Sequence, residues 1–316
     1  MSDKVKLGIS ACLLGEKVRF DGGHKLDHYL AETLGPFLDW VPVCPETEAG
    51  FGIPREPMRL EDDAGIPRLV GRTSGIDQTP AMEKWARRRL RGLGKAGLRG
   101  FVFKSRSPSC GTRRVPVVRA GGRAACGGRG IWARAFIDAY PLVPFEDEDR
   151  LRGAGARENF IDRIFVYDRW LRLTERRPTA GALVDFHSDH KYLLMAHSPE
   201  GLRELGRIVG ESGVRKPAEL YAAYLPQLMK TLKLKVTVRK NVNVLMHIVG
   251  HLKKNLSPDE KRELLVAIEE YQQQLAPLVV PVTLIRHYVR KYGEPYLSRQ
   301  YYLNPHPAEL ILRNHA

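Results

Sequence analysis

"GFVFKSRSPSCG", Gly100–Gly111, joins an apolar run to a Ser-Pro-Ser turn that ends in one cysteine and one glycine. The run GFVFKS reads as a buried strand, short, apolar and bounded by turn residues. A strand that hands a cysteine around a turn can present it beyond the carboxyl edge of an α/β sheet, where such sheets bind ligands. Similar runs occur elsewhere in the first 145 residues: VKLGIS (Val5–Ser10), WVPVC (Trp40–Cys44) and VPVVRA (Val115–Ala120). Helical patterns lie between them: HKLDHYLAETLG, GIWARAFIDAYP, and TPAMEKWARRRLRGLGKAG with Thr79 as N-cap and Pro80 at the first helical position. The alternation predicts an α/β, Rossmann-like domain with a mainly parallel sheet.

Three cysteines follow this frame. Cys12 comes after the first strand, Cys44 ends the second, and Cys110 follows the third after its turn. Strand ends on one edge of a sheet can bring the three together. Such a set can bind zinc with a histidine, act as thiol nucleophiles, hold an iron–sulfur cluster or simply pack as small core residues. No CxxC pair is present, which weighs against zinc. Three thiolates on a cubane leave one iron open to a soft ligand. Cys126, in GGRAACGGRG, is either a fourth ligand or a loop residue. Glu46 in "CPE" stands two residues after Cys44 and can serve as general acid or base, or be a plain surface carboxylate. Ser107 and Ser109 flank Pro108 and can cap the turn or hydrogen-bond a reacting group. RFDGGHK (Arg19–Lys25) can close over a substrate, and GRG (Gly128–Gly130) opens a helix whose N-terminus suits an anion.

PFEDEDRLRGAGA (Pro144–Ala156) reads as a boundary, which divides the chain into residues 1–148 and an all-α domain over 149–316. In the second part SPEGLREL and SPDEKREL each begin with a serine cap and a first-turn proline. LKLKVTVR (Leu232–Arg239) alternates like a strand but is expected to be helical, as its neighbours are. His247 and His251 are four apart on a helix with no glutamate after the first, so packing or RNA contact is expected rather than metal; HSDHK (His187–Lys191) is read the same way.

The 316 residues carry a net charge of +15. Residues 1–150 hold 25 Lys and Arg against 19 Asp and Glu, and residues 151–316 hold 26 against 17. An excess spread over both halves points to a polyanionic partner rather than a small neutral one. The basic candidates for phosphate contact are Lys191, Arg239, Lys240, Lys253 and Lys254. No apolar run is long enough for a membrane span and the N-terminus has no signal-peptide pattern, so a cytoplasmic protein with reduced thiols is expected.

ISACLLGEKVRFDGGHK, VPVCPE and KSRSPSCG, in this order, resemble the thiouracil desulfidase (TudS) family over roughly residues 5–145. LVDFHSDHKYLLMAHSP, NVLMHIVGHLKKNLSPDEKRELL and YLNPHPAELILRNH resemble the helical YbgA-like domain, and the fusion resembles the RudS-type tRNA 4-thiouridine desulfidases. The resemblance implies a [4Fe-4S] cluster on Cys12, Cys44 and Cys110, with Glu46 as a catalytic residue. The family's catalytic serine maps to Ser107, with Ser109 as the second candidate, and Cys126 matches no family ligand. It implies desulfidation of 4-thiouridine in tRNA to uridine with release of sulfide, non-redox, with the sulfur bound by the open iron. The helical domain would help hold tRNA; neither DNA nor a membrane is an expected partner. Alternatives are a desulfidase of free thiouracil or thionucleosides, and a non-catalytic RNA-binding cluster protein.

Overall fold

The computed structural model describes residues 4–63, 65–119 and 124–305. The chain divides between Gly153 and Ala154 into two units. The first is α/β and the second helical.

The first unit is built on a four-stranded sheet of β1 (Val5–Ser10), β2 (Leu38–Val43), β5 (Gly100–Phe103) and β8 (Phe145–Asp147), in the order β2-β1-β5-β8. Every pairing in it is parallel, so all four carboxyl ends lie on one edge. Its central strands β1 and β5 are short apolar runs that are almost wholly buried. Gly8 lets the Phe101 ring lie against β1, where a Cβ would overlap that ring. Phe101 stacks on Phe103, and Trp132 and Phe136 of α3 (Ile131–Ala139) close over Phe101.

A second four-stranded sheet has the order β4-β3-β6-β7. It contains β3 (Met58–Asp63), β4 (Ile66–Gly71), β6 (Val115–Val118) and β7 (Ala124–Gly128). Here β3–β4 and β6–β7 are antiparallel and β3–β6 parallel. The run VPVVRA therefore supplies a strand to this mixed sheet and not to the parallel one. The strands MRLEDD and IPRLVG carry Asp and Pro, which strands disfavour, and their apolar signal is weak.

Several local expectations change. HKLDHYLAETLG is helical only from Tyr29, as a π-turn over Tyr29–Leu34 and a short 3-10 turn after it. In α2 (Thr79–Ala96) the cap is Gln78, and the Thr79 hydroxyl instead accepts the Leu69 N–H of β4 at 2.8 Å. PFEDED is no solvated linker. Glu146, Asp147 and Glu148 are buried at the end of β8 and the start of α4 (Glu148–Leu151).

The second unit contains α5 (Ala154–Thr174), α6 (Ala180–His197), α7 (Pro199–Gly210) and α8 (Pro217–Leu232). These are followed by α9 (Val238–Leu252), α10 (Pro258–Gln272), α11 (Val279–Lys291) and the short α12 (Pro295–Ser298). Ser198 caps α7, and Ser257 with Glu260 makes a full capping box on α10. LKLKVTVR is neither strand nor continuous helix. It leaves α8 after Leu232, and the Thr237 hydroxyl then caps α9. The connection is tied down by the Lys240 Nζ, which donates to the carbonyls of Lys235 (2.8 Å) and His197 (2.7 Å). Among the described residues no helix is long and apolar enough to cross a membrane.

Candidate active site

Parallel pairing places Ser10, Val43, Phe103 and Asp147 at one edge of the sheet. The loops that leave β1, β2 and β5 line a cavity of about 410 Å³. Cys12, Cys44 and Cys110 all line it, together with Glu46 and Ser107. Arg19, Phe20 and Lys25 of the RFDGGHK turn line it as well.

The Cys110 loop is a built device. The Ser107 Oγ accepts the N–H groups of Ser109 (3.2 Å) and Cys110 (3.0 Å), which closes the turn. The Gly111 N–H donates to the Ser107 carbonyl at 2.9 Å. A Cβ at Gly111 would stand 2.6 Å from Val115 Cγ2 and 3.0 Å from the Ser107 carbonyl oxygen, so this glycine serves loop packing. The start of α3 lies against the same loop. Gly130, Ile131 and Ala133 donate their N–H groups to the carbonyls of Gly111 (2.8 Å), Pro108 (3.1 Å) and Ser109 (3.1 Å). The helix N-terminus expected to suit an anion is thus spent on holding the cysteine loop.

Buried acids anchor the loop from below. Glu148 accepts from the Lys104 ammonium and from the Ser105 N–H and hydroxyl (2.9 Å for the hydroxyl). Asp147 accepts from the Thr112 N–H at 3.2 Å, and Arg113 pairs with Glu146 and Asp147. Burial pushes the Asp147 carboxyl upward against these partners. Nothing in the spacing of PFEDED marks this role.

Glu46 follows Cys44 on the short α1 (Pro45–Glu48). Its Oε1 accepts the Ser109 hydroxyl at 2.7 Å. Its Oε2 takes a two-pronged contact from the Arg55 guanidinium, whose Nε donates at 2.9 Å. Arg55 also donates to the carbonyls of Val18 (2.9 Å) and Gly52 (2.8 Å). The two side chains are only 6% and 16% exposed, so this is a shielded pair with a fixed geometry. Arg55 was missed in the sequence, because a contact across nine positions of irregular loop has no periodic signature. The serines divide their roles: Ser107 faces the cavity, while Ser109 is fully buried and holds Glu46.

The thiols fit a cluster. Burial pushes the Cys12 thiol up to about 11, with Cys44 adding to the effect and Lys104 and Arg19 opposing it. Burial raises the Cys110 thiol as well, opposed by a hydrogen bond from Ser10. The Ser10 hydroxyl accepts the Lys104 N–H at 2.9 Å, which leaves its proton for the Cys110 sulfur. Burial keeps Cys12 and Cys110 as neutral thiols, and a bound cation would be needed to make thiolates of them. Among the described residues no three His, Cys, Asp or Glu side chains stand close enough to share one metal ion. A cubane asks for a looser set, since each cysteine binds a different iron. Cys126 lies on β7 opposite Pro116, in the second sheet; its side chain lies outside the described residues.

The basic candidates of the helical unit are dispersed. Arg239 is exposed in the first turn of α9, while Lys253 and Lys254 are exposed just past its end. Lys191 is half-buried on α6 over the Tyr192 ring, and the Lys240 ammonium is engaged inside the fold. His251 stacks on Tyr296, His187 bonds the Tyr224 hydroxyl at 3.0 Å, and His190 is buried beside Arg169.

Residues 7–148 match the family model described as 2-thiouracil desulfurase, and residues 191–307 match one described as a protein of unknown function, DUF1722. The uncharacterized protein YbgA of Escherichia coli (strain K12) is 32% identical over 158 residues, half of this chain and 94% of YbgA. The uncharacterized protein YbbK of Bacillus subtilis (strain 168) is 29% identical over 109 residues, 33% of this chain and 72% of YbbK. A solved structure titled [4Fe-4S]-dependent thiouracil desulfidase TudS is 30% identical, covers 47% of this chain and 94% of its own, and has a TM-score of 0.39.

Proposed function

The chain belongs to the 2-thiouracil desulfurase family through its first unit and to the YbgA-like DUF1722 family through its second, and from that premise we propose that it converts 4-thiouridine in tRNA to uridine. The observation that carries this reading is one cavity lined by three thiols together with the Glu46 carboxylate that Arg55 and Ser109 hold. Cys12, Cys44 and Cys110 would hold a [4Fe-4S] cluster, which supplies a soft Lewis acid for a thiocarbonyl sulfur.

The residues of the chain do the rest. Arg55 occupies Oε2 of Glu46, so Oε1 is the atom that takes a proton from a water positioned for attack at C4. The Ser109 hydroxyl shares that oxygen and fixes the carboxylate plane. The Ser107 oxygen accepts two N–H groups, so its own proton is free to donate into the cavity, toward the base. The C4–S bond breaks and a C4–O bond forms; sulfur leaves as hydrogen sulfide with the water's two protons, one of them returned by Glu46. No electron is gained or lost. The base must leave its stack to enter the cavity, as in enzymes that act on extruded nucleotides. The net charge of +15, shared by both units, supports RNA as the carrier of that base.

The test is anaerobic incubation of the reconstituted protein with tRNA that contains 4-thiouridine, followed by digestion and nucleoside quantification. Stoichiometric replacement of 4-thiouridine by uridine, absent in Cys110→Ala, is expected. Turnover of free 2-thiouracil with tRNA untouched would assign the site to the free base instead.

A further inference from the structure

Two hydroxyls beside the cysteines have no part in the desulfidation step. Thr47 is the third residue of α1, one turn past Cys44. Its Oγ1 lies 3.2 Å from the Cys44 sulfur, and among the described residues that hydroxyl meets no other hydrogen-bond partner. Ser10 ends β1 and is 2% exposed. Its oxygen accepts the Lys104 N–H at 2.9 Å, and its proton goes to the Cys110 sulfur. A hydroxyl has a single proton to donate, and in both residues a cysteine sulfur is the group placed to receive it. The third cysteine differs. Among the described residues no hydroxyl bonds the Cys12 sulfur, which feels the charges of Lys104 and Arg19 instead.

The direction of the Thr47 contact depends on the state of the sulfur. As a thiol, Cys44 donates to Thr47 Oγ1 and, at 3.7 Å, to the Val18 carbonyl. A cysteine that binds iron has lost that proton. The Val18 carbonyl still keeps a donor, because Arg55 Nη2 reaches it at 2.9 Å. The Thr47 oxygen then faces an anionic acceptor, so its hydroxyl turns and donates. A hydrogen bond to a charged acceptor is stronger than one between neutral groups. It draws negative charge off the sulfur and off the metal behind it. Hydrogen bonds to sulfur are among the features that set the reduction potential of an iron–sulfur cluster.

We propose that Ser10 and Thr47 are positioning residues that donate hydrogen bonds to the Cys110 and Cys44 thiolates of a bound cluster, and that these two bonds raise its reduction potential while the Cys12 corner carries none. The proposal rests on the desulfidase reading for the identity of the cluster. Desulfidation moves no electron, so the gain lies elsewhere: iron with less negative charge around it is a stronger Lewis acid for a thiocarbonyl sulfur.

The experiment is an anaerobic reductive titration of the reconstituted full chain, followed by visible absorbance and by the electron paramagnetic resonance of the reduced cluster. It uses wild type, Ser10→Ala, Thr47→Val and Thr47→Ser, with iron content and tRNA turnover measured on the same samples. Thr47→Val keeps the shape and removes the hydroxyl, and Thr47→Ser returns it. At about four iron per chain, Ser10→Ala and Thr47→Val should each shift the one-electron equilibrium about tenfold toward the oxidised cluster, which is about 59 mV. Thr47→Ser should stay at the wild-type midpoint. Ser10→Ala also removes the acceptor of the Lys104 N–H, so if it loses iron the Thr47 variants decide. Midpoints equal to the wild type's in every variant with a full cluster overturn the proposal while the desulfidase reading stands. A Thr47→Ser midpoint as low as that of Thr47→Val assigns the shift to packing and overturns it as well. A full cluster without turnover of any substrate removes the desulfidase reading, and the midpoints still decide the hydrogen bonds. A wild type that binds no iron ends both.

Discussion

The Glu46 carboxylate is held in place by the Arg55 guanidinium and the Ser109 hydroxyl. Its position after Cys44 makes it a candidate, but the side chain is held by Arg55 and Ser109, which come from loops nine and sixty-three positions away. Glu46→Gln keeps the shape and removes the proton acceptor. It should lower kcat by about 10²–10⁴ with the iron content unchanged, measured as turnover per bound cluster. Arg55→Ala leaves a shielded carboxylate without its partner, and breaking such a pair costs about 3–5 kcal/mol. Its denaturant midpoint should therefore fall, and that of Glu46→Gln should fall as well, because Arg55 is then the shielded charge left unpaired. A midpoint equal to the wild type's in both would mean that the pair does not hold Glu46 in place.

The elements show why the loops can be so irregular and still hold a geometry. The cysteine loop is clamped by α3 from one side and by Glu148 from another, so its conformation does not depend on its own propensity. A Cβ at Gly130 would collide with the Ser109 carbonyl and stand 2.8 Å from the Cys110 nitrogen. Gly130→Ala should thus displace the loop, with a large loss of bound iron and a stability cost of about 1–3 kcal/mol. Normal iron content in that variant would contradict the clamp. In the helical unit, burial holds His187 down to about 4, with the Lys191 charge adding to it, and burial lowers His190 as well. In the unfolded chain these groups titrate near 6.5, so the folded state binds fewer protons between pH 6.5 and 4. Stability is full above that window and falls as pH drops through it. His187 alone accounts for a loss on the order of 3 kcal/mol. His187→Gln, which can still meet the Tyr224 hydroxyl, should flatten the fall in unfolding free energy between pH 7 and pH 4; an unchanged slope would contradict a buried neutral imidazole.

At the scale of the whole chain, the hydrophobic pattern made the parallel sheet readable. VKLGIS, WVPVC and GFVFKS are short, mainly apolar runs, and each has its cysteine at or just beyond its end, so the convergence of Cys12, Cys44 and Cys110 on one sheet edge follows from chain order. The Ser-Pro caps of α7 and α10 were equally plain. What remained hidden depends on contacts between distant segments. The second sheet pairs strands with weak patterns, and PFEDED looks like a linker until its acids are seen meeting Lys104, Arg113 and Thr112. In the helical unit, Lys240 read as a phosphate contact from composition alone; the fold gives its ammonium two carbonyls instead.

The proposed function makes three thiols and one held carboxylate a cluster-dependent desulfidase site. Its most direct test is iron and acid-labile sulfide per chain after anaerobic reconstitution, with loss of 4-thiouridine from tRNA followed in the same samples, for wild type, Cys12→Ala, Cys44→Ala, Cys110→Ala and Glu46→Gln. About four iron and four sulfide are expected in the wild type and in Glu46→Gln, much less in each cysteine variant, and turnover in the wild type alone. Turnover that survives the loss of any of these cysteines, or an active wild type that binds no iron, would contradict it.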